Sequence, residues 1–213
     1  MLRKMILNLL LITSVPVSLF ARPFATDDAG VTSINAFELE LGSNYWEDVA
    51  SFGATLKHGL TNHMNLSVSF GYDAVPKETA MAQPLGVSVK YNFIPEHFSM
   101  SFTSAFSSSA SYLLNAIYTQ KIKFVTIHAN AGLEATEAVK NVDAKYGLAT
   151  VFNIGIVAAG IEICGVNKDV NWWQVGTQVA IKEWIALDIG VGGDFDGNMM
   201  ATSGIWLGFP LSK

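Results

Sequence analysis

His97-Phe98-Ser99 sets an imidazole and a hydroxyl two residues apart. That spacing puts both on one face of a β-strand. A base within hydrogen-bond reach of a serine activates it as a nucleophile, and at a membrane the chemistry would be lipid ester hydrolysis. No carboxylate or amide orienting the imidazole is evident on the same face beside the pair, and it falls at a turn, so no enzyme is predicted. His128 and Asn130 also share a face, but a lone strand histidine is more often a hydrogen-bonded lining residue than a base. Asp194-Phe195-Asp196-Gly197-Asn198 echoes part of a calcium loop. It lacks the repeated oxygen ligands and the closing bidentate Glu, and reads as an Asp-Gly turn. Gly190-Val191-Gly192-Gly193 is followed by no helix whose N-terminus would hold a phosphate. Neither a metal nor a cofactor is therefore expected. The single cysteine, Cys164, leaves no partner for an intrachain disulfide and no lipid anchor near the N-terminus.

The elements that must hold these residues follow from composition. Half of the residues are hydrophobic and only 15% are charged, with mean hydropathy of +0.33, where about 25% charged is usual for a soluble domain. The only long apolar run is N-terminal, and nothing after Ala21 offers the roughly 20 apolar residues of a transmembrane helix. Lipid leaves no backbone group unpaired, so the remaining spanning geometry is a closed barrel of strands. Arg3 and Lys4, the apolar run Met5 to Ile12 and the Pro16 to Ala21 region read as a signal peptide over 1–21. Without Arg3 and Lys4, 11 of the 13 basic residues face 18 acidic ones. That net negative charge argues against nucleic-acid binding.

Period-two alternation then repeats. Phe37, Leu39 and Leu41 alternate with Glu38, Glu40 and Gly42, and Leu66, Val68, Phe70 and Tyr72 alternate with Ser67, Ser69 and Gly71. The segment 51–57 follows the same rule, as do 85–93 and 98–103. Fainter strands are expected at 111–119, 123–133, 145–153, 156–164, 170–180, 185–193 and 199–209. The total is twelve, an even number that puts both termini on the periplasmic side. Short turns at 59–64, 94–97, 119–122, 153–155 and 181–184 alternate with longer polar loops at 73–83 and 134–144. Tyr45, Trp46, Tyr91, Phe93, Tyr118, Trp173 and Trp184 gather near strand ends, where an interfacial girdle would place them. A secreted β-sandwich also alternates, but would not need so much outward aromatic surface.

On this register Glu38, Glu40, Lys57, Lys90, Glu162, Gln174, Gln178 and Asp188 point into the lumen. A lysine facing lipid at the midplane would cost about 2–4 kcal/mol, so inward is also the cheaper assignment. A hairpin turning near Asp48 sets Glu40 opposite Lys57 as a cross-strand pair. Two readings of these groups stay open: a polar network that fills the barrel, or the lining of a narrow, weakly selective passage. Residues 22–34 are too polar to span and form either a plug or a periplasmic segment, with the barrel proper over 35–213.

Arg22-Pro23-Phe24-Ala25-Thr26-Asp27-Asp28-Ala29-Gly30, followed by Phe37-Glu38-Leu39-Glu40-Leu41-Gly42, resembles the opening of the putative MetA-pathway of phenol degradation family of outer-membrane proteins. Arg22, Pro23, Thr26, Asp27 and Asp28 are the distinctive positions. His58-Gly59-Leu60-Thr61-Asn62 and Val89-Lys90-Tyr91-Asn92-Phe93 are similar to that family's internal pattern. The resemblance implies an outer-membrane barrel linked to uptake of small organic, including aromatic, compounds. The chain departs at its end, where Pro210-Leu211-Ser212-Lys213 follows Phe209 instead of the usual terminal aromatic.

The expected function is a passive channel for small organic solutes in the bacterial outer membrane. A closed structural or surface-binding barrel is the alternative, and a lipid hydrolase the third. Expected partners are outer-membrane lipid, the periplasmic chaperones and assembly machinery during biogenesis, and a small organic solute.

Overall fold

A computed structural model describes residues 24–46, 49–75, 80–107, 109–137 and 139–210. The expected signal peptide, together with Arg22 and Pro23, lies outside the described residues. Among the described residues no helix is long and apolar enough to cross a membrane. The chain is built from strands: β1 Ala36–Trp46, β2 Val49–Thr61, β3 Met64–Val75, β4 Met81–Ala82, β5 Leu85–Ile94, β6 Phe98–Phe106, β7 Ala110–Ile122, β8 Val125–Thr136, β9 Val139–Ile154, β10 Val157–Val166, β11 Asp169–Lys182, β12 Ile185–Asp194 and β13 Met199–Pro210. Twelve of them form the wall. Each pairs antiparallel with its sequence neighbour, and β1 pairs with β13 from Ala36↔Pro210 to Trp46↔Met200, which closes the barrel. The two-residue β4 only adds to the far end of β3, at Tyr72↔Ala82 and Asp73↔Met81.

Closure answers the physical problem set by the sequence, because a sheet without edges satisfies every ladder group internally. Alternation then divides the side chains. Phe52, Phe70, Tyr91, Phe102, Leu133 and Ile189 stand exposed on the outer face, while Thr55, Ser69, Lys90, Ser101, Ala149 and Asp188 are buried on the inner one. Outside, rings gather toward the terminal mouth, where β1 begins and β13 ends: Tyr91 meets Phe93 edge-on at 4.8 Å and Phe37 stacks on His58 at 4.2 Å.

Two features depart from the sequence reading. The span 134–144 was expected as an outer loop. It is instead a tall hairpin, with β8 running to Thr136 and β9 starting at Val139. Val142 opposite Ala135 continues the alternation, and Lys145 reaches Glu134 at 2.5 Å to brace the pair. The first hairpin is also set differently. Glu38, not Glu40, lies opposite Lys57, and Glu40 faces Thr55. The ion pair still forms, because Lys57 leans diagonally to bring its Nζ 2.7 Å from Glu40 Oε1. Diagonal neighbours lie within reach of long side chains, so register and contact can differ.

Candidate functional site

The barrel is not hollow where the chain enters it. Asn35 adopts a left-handed conformation, φ 58°, and turns the chain from the lumen into β1. An asparagine tolerates that region better than most residues. Its amide bonds Gly59 O at 3.0 Å, and Ile34 bridges Gly59 in parallel. Upstream, residues 24–34 cross the inner wall from β2 to β10 and meet polar side chains almost residue by residue. Asn65 donates to Thr32 Oγ1 at 3.3 Å. The carbonyl of Ala29 accepts from Asn92 Nδ2 at 2.9 Å and from Ser99 Oγ at 2.5 Å, while the Ala29 amide donates to Thr119 Oγ1 at 2.9 Å. Lys90 pairs with Asp27 at 2.8 Å and donates to Asp28 O at 3.1 Å. The Asn130 side-chain amide both accepts from Asp27 N and donates to Asp27 O, each at 2.8 Å, as a neighbouring strand would. Glu162 ends the series by accepting the amides of Ala25 and Thr26, at 2.9 and 2.5 Å. A segment without its own ladder needs such partners, since an unpaired buried amide costs about 1–3 kcal/mol.

Steric fit matches the polar fit. A Cβ at Gly59 would lie 2.0 Å from Ser33 O, one at Gly147 2.6 Å from Thr26 Oγ1, and one at Gly160 2.9 Å from Phe24 Cζ. These glycines are the hollows into which the segment settles. Phe24 packs on Ala149 and Val151, with Ala158 beside them, as a small apolar anchor inside a polar tube.

The residues singled out in the sequence are distributed as follows. Glu38, Glu40, Lys57, Lys90, Glu162, Gln174, Gln178 and Asp188 all occupy inward positions of the registers. Glu38 accepts from Trp206 Nε1 at 3.3 Å, Gln174 donates to Thr202 Oγ1 at 3.2 Å, and Gln178 and Asp188 are cross-strand partners. Thr26, Asp27 and Asp28 lie within the inserted segment, and the structure joins them to Glu162, Asn130 and Lys90. Asn65, Asn92, Ser99, Thr119 and Asn130 were missed as holders of the segment. Their only sequence signal is a polar side chain at an inward position.

The other candidate chemistry is not assembled. The Ser99 hydroxyl is engaged by Ala29 O, and His97, in the turn before β6, puts Nδ1 3.1 Å from Thr119 O. His128 Nδ1 lies 3.0 Å from Thr119 Oγ1 on the inner wall. Asp194 turns both carboxylate oxygens on its own loop, accepting the amides of Asp196 and Asn198 and the Asn198 side chain. Gly197, φ 98°, completes that turn. Cys164 is buried 3.8 Å from Thr26 Oγ1.

Around Asp28 and Gly30 the segment divides the terminal mouth into two cavities. One, of about 220 Å³, is lined by Glu96, Thr119, Lys121, Thr126, His128 and Asn153; the other, of about 130 Å³, by Thr32, Glu38, Lys57, Asn65 and Lys90. Both spaces are large enough to admit water, which needs only about 10–15 Å³ of such volume.

No family model matches the chain, and no curated protein matches it. Its fold is that of outer-membrane porins. The KdgM porin in complex with disordered oligogalacturonate superposes with a TM-score of 0.65 at 12% identity, over 80% of this chain and 98% of that one. The COG4313 outer membrane channel from Pseudomonas putida F1 gives 0.66 at 9% identity, over 87% and 100%. The outer membrane protein Omp33 of Acinetobacter baumannii gives 0.56 at 15% identity, over 84% and 99%.

Proposed function

We propose that this protein is a passive outer-membrane channel for small organic molecules, gated by its own residues 24–34. The observation that carries the reading is the pairing of a polar inner wall with a segment held in it by side chains rather than by a ladder. A barrel that only needed filling would close with packed side chains, as small barrels do. Here the filling is a separate piece of chain, bound by hydrogen bonds that water can replace one by one. Its displacement would unite the two cavities into one bore. The mouth where β1 begins and β13 ends faces the periplasm in this reading.

The aromatic solutes implied by the resemblance of residues 22–30 to the phenol-degradation family belong to the same proposal. The fold shared with an outer membrane channel supports the channel part of the proposal. A closed barrel with a structural role is the second reading, favoured by the same hydrogen bonds if they never release.

Planar-bilayer recordings of the chain as exported decide between them. The channel reading expects small, intermittent conductance from the native sequence, and a larger and longer-lived one from Glu162→Ala. A heat-modifiable, folded barrel that stays silent in both proteins would overturn it.

A further inference from the structure

The charge of the passage points to its solutes. We infer that the lumen selects against anions, so that the molecules admitted are neutral or cationic, with Glu38, Asp73 and Asp143 among the residues that set the preference. The inference rests on the channel reading above and names the solute class of the same lumen.

Among the described residues three lysines face the spanning part of the lumen, and each is matched by an acid. Lys57 meets Glu40 at 2.7 Å, Lys90 meets Asp27 at 2.8 Å and Lys145 meets Glu134 at 2.5 Å. The Lys57 and Lys145 pairs lie wholly within the wall, while displacement of the segment takes Asp27 from Lys90 and at the same time bares the Glu162 carboxyl that held Ala25 and Thr26. At the terminal mouth Lys121 is matched in turn by Glu96. Other inward carboxyl groups meet neutral donors instead. Glu38 accepts from the Trp206 indole, Asp73 from Ser51 Oγ at 2.6 Å and Gln83 Nε2 at 2.7 Å, and Asp143 from Asn167 Nδ2 at 2.8 Å. Neutral donors orient a carboxylate without cancelling its charge. These groups do not form one cluster. Glu38 lies near the terminal mouth, whereas Asp73 and Asp143 lie toward the opposite one, so the three carboxyl groups are spread along the lumen. The far turns add Asp169, Asp194 and Asp196 against Lys168, whereas the turns at the terminal mouth carry Lys123 and Lys182 against Glu183. A cleft of one sign with low-dielectric walls focuses its field and concentrates the opposite ion.

The test is the reversal potential of the full chain in a planar bilayer under a tenfold potassium chloride gradient, paired with uptake by proteoliposomes of benzylamine, benzyl alcohol and benzoate. These three solutes share a ring and differ in charge. We expect potassium to permeate several-fold better than chloride, and benzoate to enter several-fold more slowly than either of the others. Glu38→Gln, Asp73→Asn and Asp143→Asn, combined, should bring the two ions toward parity, and Lys57→Met should raise the potassium preference. The preference should also fade in molar salt, where the screening length shrinks to about 3 Å. A conducting native channel that passes chloride as readily as potassium, or benzoate as fast as benzylamine, overturns this inference and leaves the channel reading standing. A folded but silent barrel overturns both.

Discussion

Glu162 is the residue on which the inserted segment most depends. It is 1% exposed and accepts two consecutive backbone amides. Hydrogen bonds to charged groups contribute about 1.5–3 kcal/mol each, and their loss leaves buried donors unsatisfied. Glu162→Ala should therefore raise the open fraction by tenfold or more, read as dwell times in single-channel records, while the unheated band on a gel stays in place. Gly59→Val tests the steric half of the same argument. Its side chain would meet Ser33 O, which already lies 2.0 Å from a bare Cβ. The segment must leave its seat, and protease cleavage within residues 24–34 should accelerate severalfold relative to the native chain. The inward position of Glu162 was legible from alternation alone, but its partners were not. They lie 137 and 136 residues away along the chain, and no local pattern encodes contacts of that separation.

At the scale of elements, each strand obeys two solvents at once. The outer face of β3 carries Val68 and Phe70 at mid-strand and the inner face Ser67 and Ser69. Phe70→Arg should destabilise the barrel by about 2–4 kcal/mol, because the guanidinium would sit in hydrocarbon. Equilibrium unfolding from vesicles measures this, and Ser67→Arg, facing the lumen, should cost far less. Strand existence was easy to read for this reason: lipid outside and water inside impose a period of two that turns alone interrupt. Strand ends were harder. β8 and β9 rise past the point where the apolar contrast weakens, held by the Lys145–Glu134 pair and by ladder bonds that do not depend on side-chain type. The register of the first hairpin differs from the expected one by two residues for a related reason. On sequence alone the hairpin joining these strands can be centred in more than one way, and Lys57 is long enough to find Glu40 from either.

The whole molecule is a closed wall with a piece of its own chain bound inside. Closure follows from the absence of edges in lipid, and the twelve-stranded wall was legible from an even run of alternating segments. The route of residues 24–34 was not, because a polar stretch before a barrel fits a plug and a periplasmic tail equally well. What settles its place is complementarity spread over the wall: three glycine hollows, the Asn130 amide that stands in for a strand, and the Lys90–Asp27 pair. The central claim is that passage requires this segment to move, and Cys164 offers a direct way to ask. Its sulfur lies 3.8 Å from Thr26 Oγ1, so Thr26→Cys places two thiols within reach of a disulfide that would tie the segment to β10. Solute flux through proteoliposomes of this variant, measured oxidised and then after reductant, is the most direct test. The account predicts flux that is lost on oxidation and restored on reduction, with the native chain unaffected by either treatment. Equal flux from the cross-linked and the reduced variant would contradict it.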